Sequence, residues 1–122
     1  MRWMFNYIHD IEGTSALENH GLYFGGADNN GYTQVASNSE GAYNRIINMS
    51  GGNGIQIFWG TTVIYGTGNS LHHNFIDTTA KRGLNLSDAT RSVDAYDNVI
   101  LNTAGDAIYY QGNADASLNI KI

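Results

Sequence analysis

Asn74-Phe75-Ile76-Asp77-Thr78, followed by Gly83-Leu84-Asn85-Leu86, is the stretch that decides the fold. Its first phrase is an Asn, then an Ile two places on, then a small polar residue. Its second is a Gly followed by two apolar residues that alternate with a polar one. The first phrase returns as Asn6-Tyr7-Ile8-His9-Asp10, Asn44-Arg45-Ile46-Ile47-Asn48 and Asn98-Val99-Ile100-Leu101-Asn102. The second returns as Gly21-Leu22-Tyr23-Phe24, Gly54-Ile55-Gln56-Ile57 and Ala107-Ile108-Tyr109-Tyr110. Between successive ladder asparagines the interval shortens from 38 to 30 to 24 residues, so the last copy shows the basic unit and the earlier ones carry insertions.

Apolar residues within each unit alternate over a few positions only, as in Leu22/Phe24, Ile55/Ile57 and Leu84/Leu86, which is the period of a strand. Gly, Asn, Asp and Ser mark the corners between these short runs. Strands this short, repeating about every 24 residues, describe the coils of a solenoid, since a hairpin repeat would be roughly half as long. Proline is absent from 122 residues, where average usage predicts roughly six. A stacked parallel coil explains this, because each interior strand is hydrogen-bonded on both sides and a proline would delete a ladder bond. Asn6, Asn44, Asn74 and Asn98 then fall at one inward corner, where each amide can donate to the carbonyl oxygen of the next. Corners with positive φ also favour Asn and Gly.

Composition narrows the function classes. Hydrophobic residues make up 42% and charged residues 14%, which describes a folded chain, read as one domain over residues 1–122. The lack of cysteine excludes disulfides, thiolate metal sites and a cysteine nucleophile. A net charge of -5 with only six Lys and Arg disfavours nucleic acid and anionic membranes as partners. No window reaches the 18 or so apolar residues of a membrane span, and Met1 to Ile11 has no uninterrupted apolar core of a signal peptide.

These phrases resemble those of the right-handed parallel β-helix repeat proteins, the pectate-lyase-like group that includes pectate lyases, pectinases, alginate epimerases and phage tailspikes. The resemblance covers nearly the whole chain and implies an all-β, right-handed, single-stranded parallel β-helix of about four to five coils. It further implies an extracellular or cell-surface setting and a polysaccharide partner, and it leaves room for calcium without assigning a cofactor or a site. The Leu-x-x-Leu-x-Leu phrase of leucine-rich repeats is lacking. Also missing are the paired aspartates and Arg-x-Lys phrase of pectinases and the Asp-Pro-His-Asp phrase of alginate epimerases, so no catalytic residue carries over.

If Leu22, Ile55, Leu84 and Ile108 point inward, Tyr23, Gln56, Asn85 and Tyr109 point outward on one sheet, stacked coil over coil. Aromatic faces and amides are what a sugar's C–H surfaces and hydroxyls pair with. Lys81 and Arg82 precede Gly83 and sit at the rim of that stripe, where they can offset a uronate carboxylate or serve as base in a β-elimination. His20, Asn53, Arg82 and Asp106 form a second column beside it. His72 and His73, being adjacent on a strand, are expected on opposite faces and so unable to share one metal. Asp10, Asp28, Asp77, Asp88, Asp94, Asp97, Asp106 and Asp115 supply many oxygens, with no calcium-loop motif to select among them.

Trp3, Phe5 and Ile8 begin mid-coil, and Leu118, Ile120 and Ile122 alternate as a strand just before the next ladder Asn is due. The expectation is a piece of a longer protein or a unit that stacks end to end on copies of itself. Three functions compete: a polysaccharide-binding or polysaccharide-degrading domain of lyase or hydrolase type, a structural module of an adhesin or tailspike, and ice binding. Ice binding needs a regular threonine array running through every coil, and Thr61, Thr62, Thr78, Thr79, Thr90 and Thr103 do not supply one.

Overall fold

The computed structural model describes residues 1–13, 19–26, 37–59, 67–87, 93–111 and 118–121. Thirteen strands and no helix occur among them. One sheet, here sheet A, runs β1 (Arg2–Met4), β4 (Glu40–Ala42), β7 (Asn69–His72), β10 (Val93–Tyr96) and β13 (Leu118–Lys121). Sheet B runs β2 (Tyr7–Ile11), β5 (Arg45–Met49), β8 (Phe75–Thr79) and β11 (Val99–Thr103). Sheet C runs β3 (Leu22–Gly26), β6 (Ile55–Trp59), β9 (Leu84–Ser87) and β12 (Ile108–Gln111). Every pairing is parallel, and the chain visits A, B and C in turn four times before β13 opens a fifth coil. This is the parallel β-helix expected from the repeat.

Register follows the repeated phrases residue for residue. Ile8, Ile46, Ile76 and Ile100 pair in one column of sheet B, and Leu22, Ile55, Leu84 and Ile108 in one column of sheet C. Ile46, Ile55, Ile57, Ile76, Leu84 and Leu86 are fully buried, while Ile8, Ile100 and Ile108 in the outer coils are partly exposed. Interior columns of like residues therefore give a continuous core that thins toward each end.

The asparagine ladder is present. Asn6 Nδ2 donates to Asn44 Oδ1 at 2.8 Å, Asn44 Nδ2 to Asn74 Oδ1 at 2.9 Å and Asn74 Nδ2 to Asn98 Oδ1 at 2.9 Å. Each Oδ1 also accepts the backbone N–H of the preceding coil's asparagine, at 3.0 to 3.1 Å. Positive φ, expected to go with Asn and Gly at the corners, does not belong to these asparagines. It belongs to the residue just before each: Phe5, Tyr43, His73 and Asp97, at φ 59°, 56°, 54° and 52°. That residue turns the chain from sheet A to sheet B and so frees the asparagine to point inward. Bulky residues tolerate this conformation because their rings stack along the column: Phe5 on Tyr43 at 5.1 Å and Tyr43 on His73 at 4.9 Å between centroids.

The last residue of each phrase is also left-handed: Asp10, Asn48, Thr78 and Asn102, at φ 49° to 56°. These bend the sheet B strands and are tied across coils, with Asn48 Nδ2 donating to Asp10 Oδ1 at 3.0 Å and Asn102 Nδ2 to Asp77 Oδ1 at 2.8 Å. The hydrogen bonds from His9 and Asn48 hold the Asp10 carboxyl below its ordinary value, so what they contribute is present above the unfolded carboxylate range and lost as pH falls through the lowered value.

Glycine before each sheet C strand has a steric cause. A Cβ on Gly21 would stand 2.6 Å from Ile46 Cγ2, and one on Gly54 2.5 Å from Ile76 Cγ2; Gly83 meets Ile100 in the same way. Each glycine thus lies over the core isoleucine of the following coil. Ala107 takes this place in the last full coil.

Candidate functional site

Tyr23, Gln56, Asn85 and Tyr109 are Cα partners across β3, β6, β9 and β12, so the outer stripe of sheet C exists in the expected register. Their environments differ. Tyr23 is 47% exposed and Tyr109 partly so, whereas Gln56 and Asn85 are 8% and 6% exposed. The amides face each other: Asn85 Nδ2 donates to Gln56 Oε1 at 3.0 Å, and Asn53 Nδ2 donates to the same oxygen at 2.6 Å. They form a floor between the two tyrosines. Tyr23 rests against His20, with centroids 5.6 Å apart, and its phenol is pushed above its ordinary value by burial, an effect opposed by a hydrogen bond with Gln56. The phenol thus stays protonated across neutral pH.

The second column joins this network. Asn53 donates its backbone N–H to His20 Nδ1 at 3.1 Å, and Arg82 donates its own to Asn53 Oδ1 at 3.1 Å. The Arg82 guanidinium carbon lies 3.6 Å from the centre of the Tyr109 ring, Nη1 reaches Asn85 Oδ1 at 3.5 Å, and Nε stands 3.5 Å from Asp106 Oδ2. Lys81 and Arg82 line a shallow cleft of about 260 Å³ with Ala80, Ala104, Gly105 and Asp106. Arg82 thus joins the Tyr23, Gln56, Asn85 and Tyr109 row through Tyr109 and Asn85, whereas Lys81 shares only the neighbouring cleft with Arg82.

A second cluster, missed from sequence, lies at the corner between sheets A and B. The expectation that His72 and His73 point to opposite faces is overturned. His72 ends β7, but His73 is left-handed, and the turn brings their Nδ1 atoms to 2.9 Å with the rings nearly perpendicular. His72 is 7% exposed, stacked on Tyr96 at 4.8 Å, and its Nε2 stands 3.0 Å from Glu40 Oε1. Glu40 pairs through its other oxygen with Arg2 Nε at 2.9 Å. His73 Nε2 faces Asp97 Oδ2 at 3.8 Å. No signal in the sequence joins Glu40 to His72, because they are 32 residues apart and only coil stacking makes them neighbours.

A second open cleft, of about 350 Å³, is lined by Asp10, Glu12, Asn48, Met49, Ser50 and Thr78. Among the described residues no group of three or more His, Asp or Glu side chains is placed to hold one ion together. Asp28, Asp88 and Asp115 lie outside the described residues. Comparison of the chain with family models, curated proteins and solved structures gives no match.

Proposed function

We propose that this β-helix binds an extended polysaccharide along the outer face of sheet C, as a domain of an extracellular or cell-surface carbohydrate-active protein of the pectate-lyase-like type. The observation that carries the reading is the in-register row Tyr23, Gln56, Asn85 and Tyr109 with Arg82 stacked on Tyr109, and Lys81 next to Arg82 in the adjoining cleft. A glycan laid parallel to the coil axis meets a new residue about every 4.8 Å. Tyr23 offers a half-exposed side chain, Tyr109 and Arg82 a stacked pair, and Lys81 and Arg82 the charge to offset uronates on a chain of net charge -5. Gln56 and Asn85 act from beneath by holding Tyr23 and Arg82 in place. Calcium bridging a uronate to the protein's carboxylates would add to this.

A structural module, stacking end to end within an adhesin-like or tailspike-like assembly, is the second reading. It is favoured by the closure of the two amides on each other and on Asn53. Isothermal titration against pectin, alginate and a neutral glucan, with calcium present or chelated, separates the two. Binding to a uronate polymer is expected, weakened about tenfold or more in Tyr23→Ala and Arg82→Ala and falling with added salt. Binding that survives both substitutions would place the site on another face. A lack of binding to any of the three would favour the structural module.

A further inference from the structure

At the sheet A to sheet B corner, two imidazoles meet through nitrogens that both carry lone pairs in the neutral ring with Nε2 protonated. We propose that His72 and His73 form a site for one divalent copper ion, held through the two Nδ1 atoms. Their separation of 2.9 Å is what two nitrogens require when each is about 2.05 Å from one ion and they subtend a right angle; a tetrahedral angle needs about 3.3 Å. Right-angled positions belong to the tetragonal geometry of Cu(II), and imidazole suits that ion.

Proton placement supports the same assignment. With both Nδ1 atoms on a metal, the His72 Nε2–H donates to Glu40 at 3.0 Å, and the His73 Nε2–H is turned toward solvent and toward Asp97, whose Oδ2 at 3.8 Å lies beyond hydrogen-bond reach. A carboxylate behind a ligating histidine fixes its tautomer and raises its basicity. The metal-free alternative is a direct Nδ1–H···Nδ1 bond. If His72 keeps its proton toward Glu40, His73 must donate, and its bare Nε2 then faces a carboxylate oxygen unless the ring takes a second proton. Of the two arrangements, the metal-bound one is the one in which no Nε2 lone pair is turned toward a carboxylate while both rings stay neutral.

The site is also pre-positioned. His72 is fixed by Tyr96 and Glu40, His73 by Tyr43 and the turn itself, and the two rings stand at 84°. The His73 side chain is 41% exposed, so an ion can arrive from solvent and keep the remaining positions for water or another oxygen ligand.

Titration of the untagged chain with CuSO4, followed by calorimetry and electron paramagnetic resonance, tests this. One Cu2+ per chain with hyperfine structure from two imidazole nitrogens is expected. His73→Asn is the decisive variant, because Asn tolerates the left-handed turn and a preserved circular dichroism spectrum will show that the coil is intact. It should weaken binding by about 100-fold or more, and Glu40→Gln by about 10-fold to 100-fold. His9→Gln, distant from the corner, should change nothing. Failure to bind Cu2+, a signal from a single imidazole, or undiminished affinity in His73→Asn would overturn the site and leave a hydrogen-bonded histidine pair.

Discussion

Replacing Asn74 with alanine should cost about 3 to 5 kcal/mol in urea denaturation, one of the two largest effects expected of any single side chain here. Asn74 is 1% exposed and uses its whole amide. Its Oδ1 accepts from Asn44 N at 3.1 Å and Asn44 Nδ2 at 2.9 Å, while its Nδ2 donates to Asn98 Oδ1 and Gly41 O, both at 2.9 Å. Alanine leaves those donors and acceptors unpaired in a site with little access to water, and each buried orphan costs about 1 to 3 kcal/mol. Asn98→Ala should cost less, because Asn98 lies in the last full coil and is partly exposed. Equal losses at the two positions would mean that the ladder does not act through burial.

Ile76→Asn should destabilise by about 4 kcal/mol or more. Ile76 is fully buried, paired with Ile46 on one side and Ile100 on the other, and its Cγ2 fills the space that Gly54 leaves open. Asparagine is smaller, so the column loses packing, and its amide gains no partner among the neighbouring isoleucines. Both penalties act together, against a total stability of only about 5 to 15 kcal/mol for a domain. Chemical denaturation measures it directly. A neutral result would place residue 76 outside the core.

How far the fold could be read from sequence follows from which residues act alone and which act through a neighbouring coil. The repeated phrase is legible because three of its positions have duties in every coil: the first is the ladder Asn, the third the core Ile, and the last the left-handed bend of Asp10, Asn48, Thr78 and Asn102. Gly21, Gly54 and Gly83 were visible as a repeat, but the reason, contact with the next coil's isoleucine, needs coordinates. The corner before each asparagine is not legible, since Phe5, Tyr43, His73 and Asp97 share no chemistry that announces a positive φ. That one turn also reverses the expectation for His72 and His73. The sheet C stripe was legible in register and illegible in exposure: alternation assigns Gln56 and Asn85 to the outer face, and only the hydrogen bonds from Asn53 and between the two amides show them closed.

The central claim is the coil-to-coil register, from which ladder, core and stripe all follow. The chain's lack of cysteine allows a clean measurement. Phe75 and Val99 are Cα partners on sheet B, and neighbouring parallel strands about 4.8 Å apart fall within the span a disulfide can bridge. Phe75→Cys with Val99→Cys should therefore oxidise to an intramolecular disulfide in the folded chain, detected by mass and by faster migration on a non-reducing gel. Asp77→Cys with Val99→Cys, displaced by two residues along the same strand, should remain largely reduced. Ready cross-linking of the displaced pair with none of the aligned one would contradict the register.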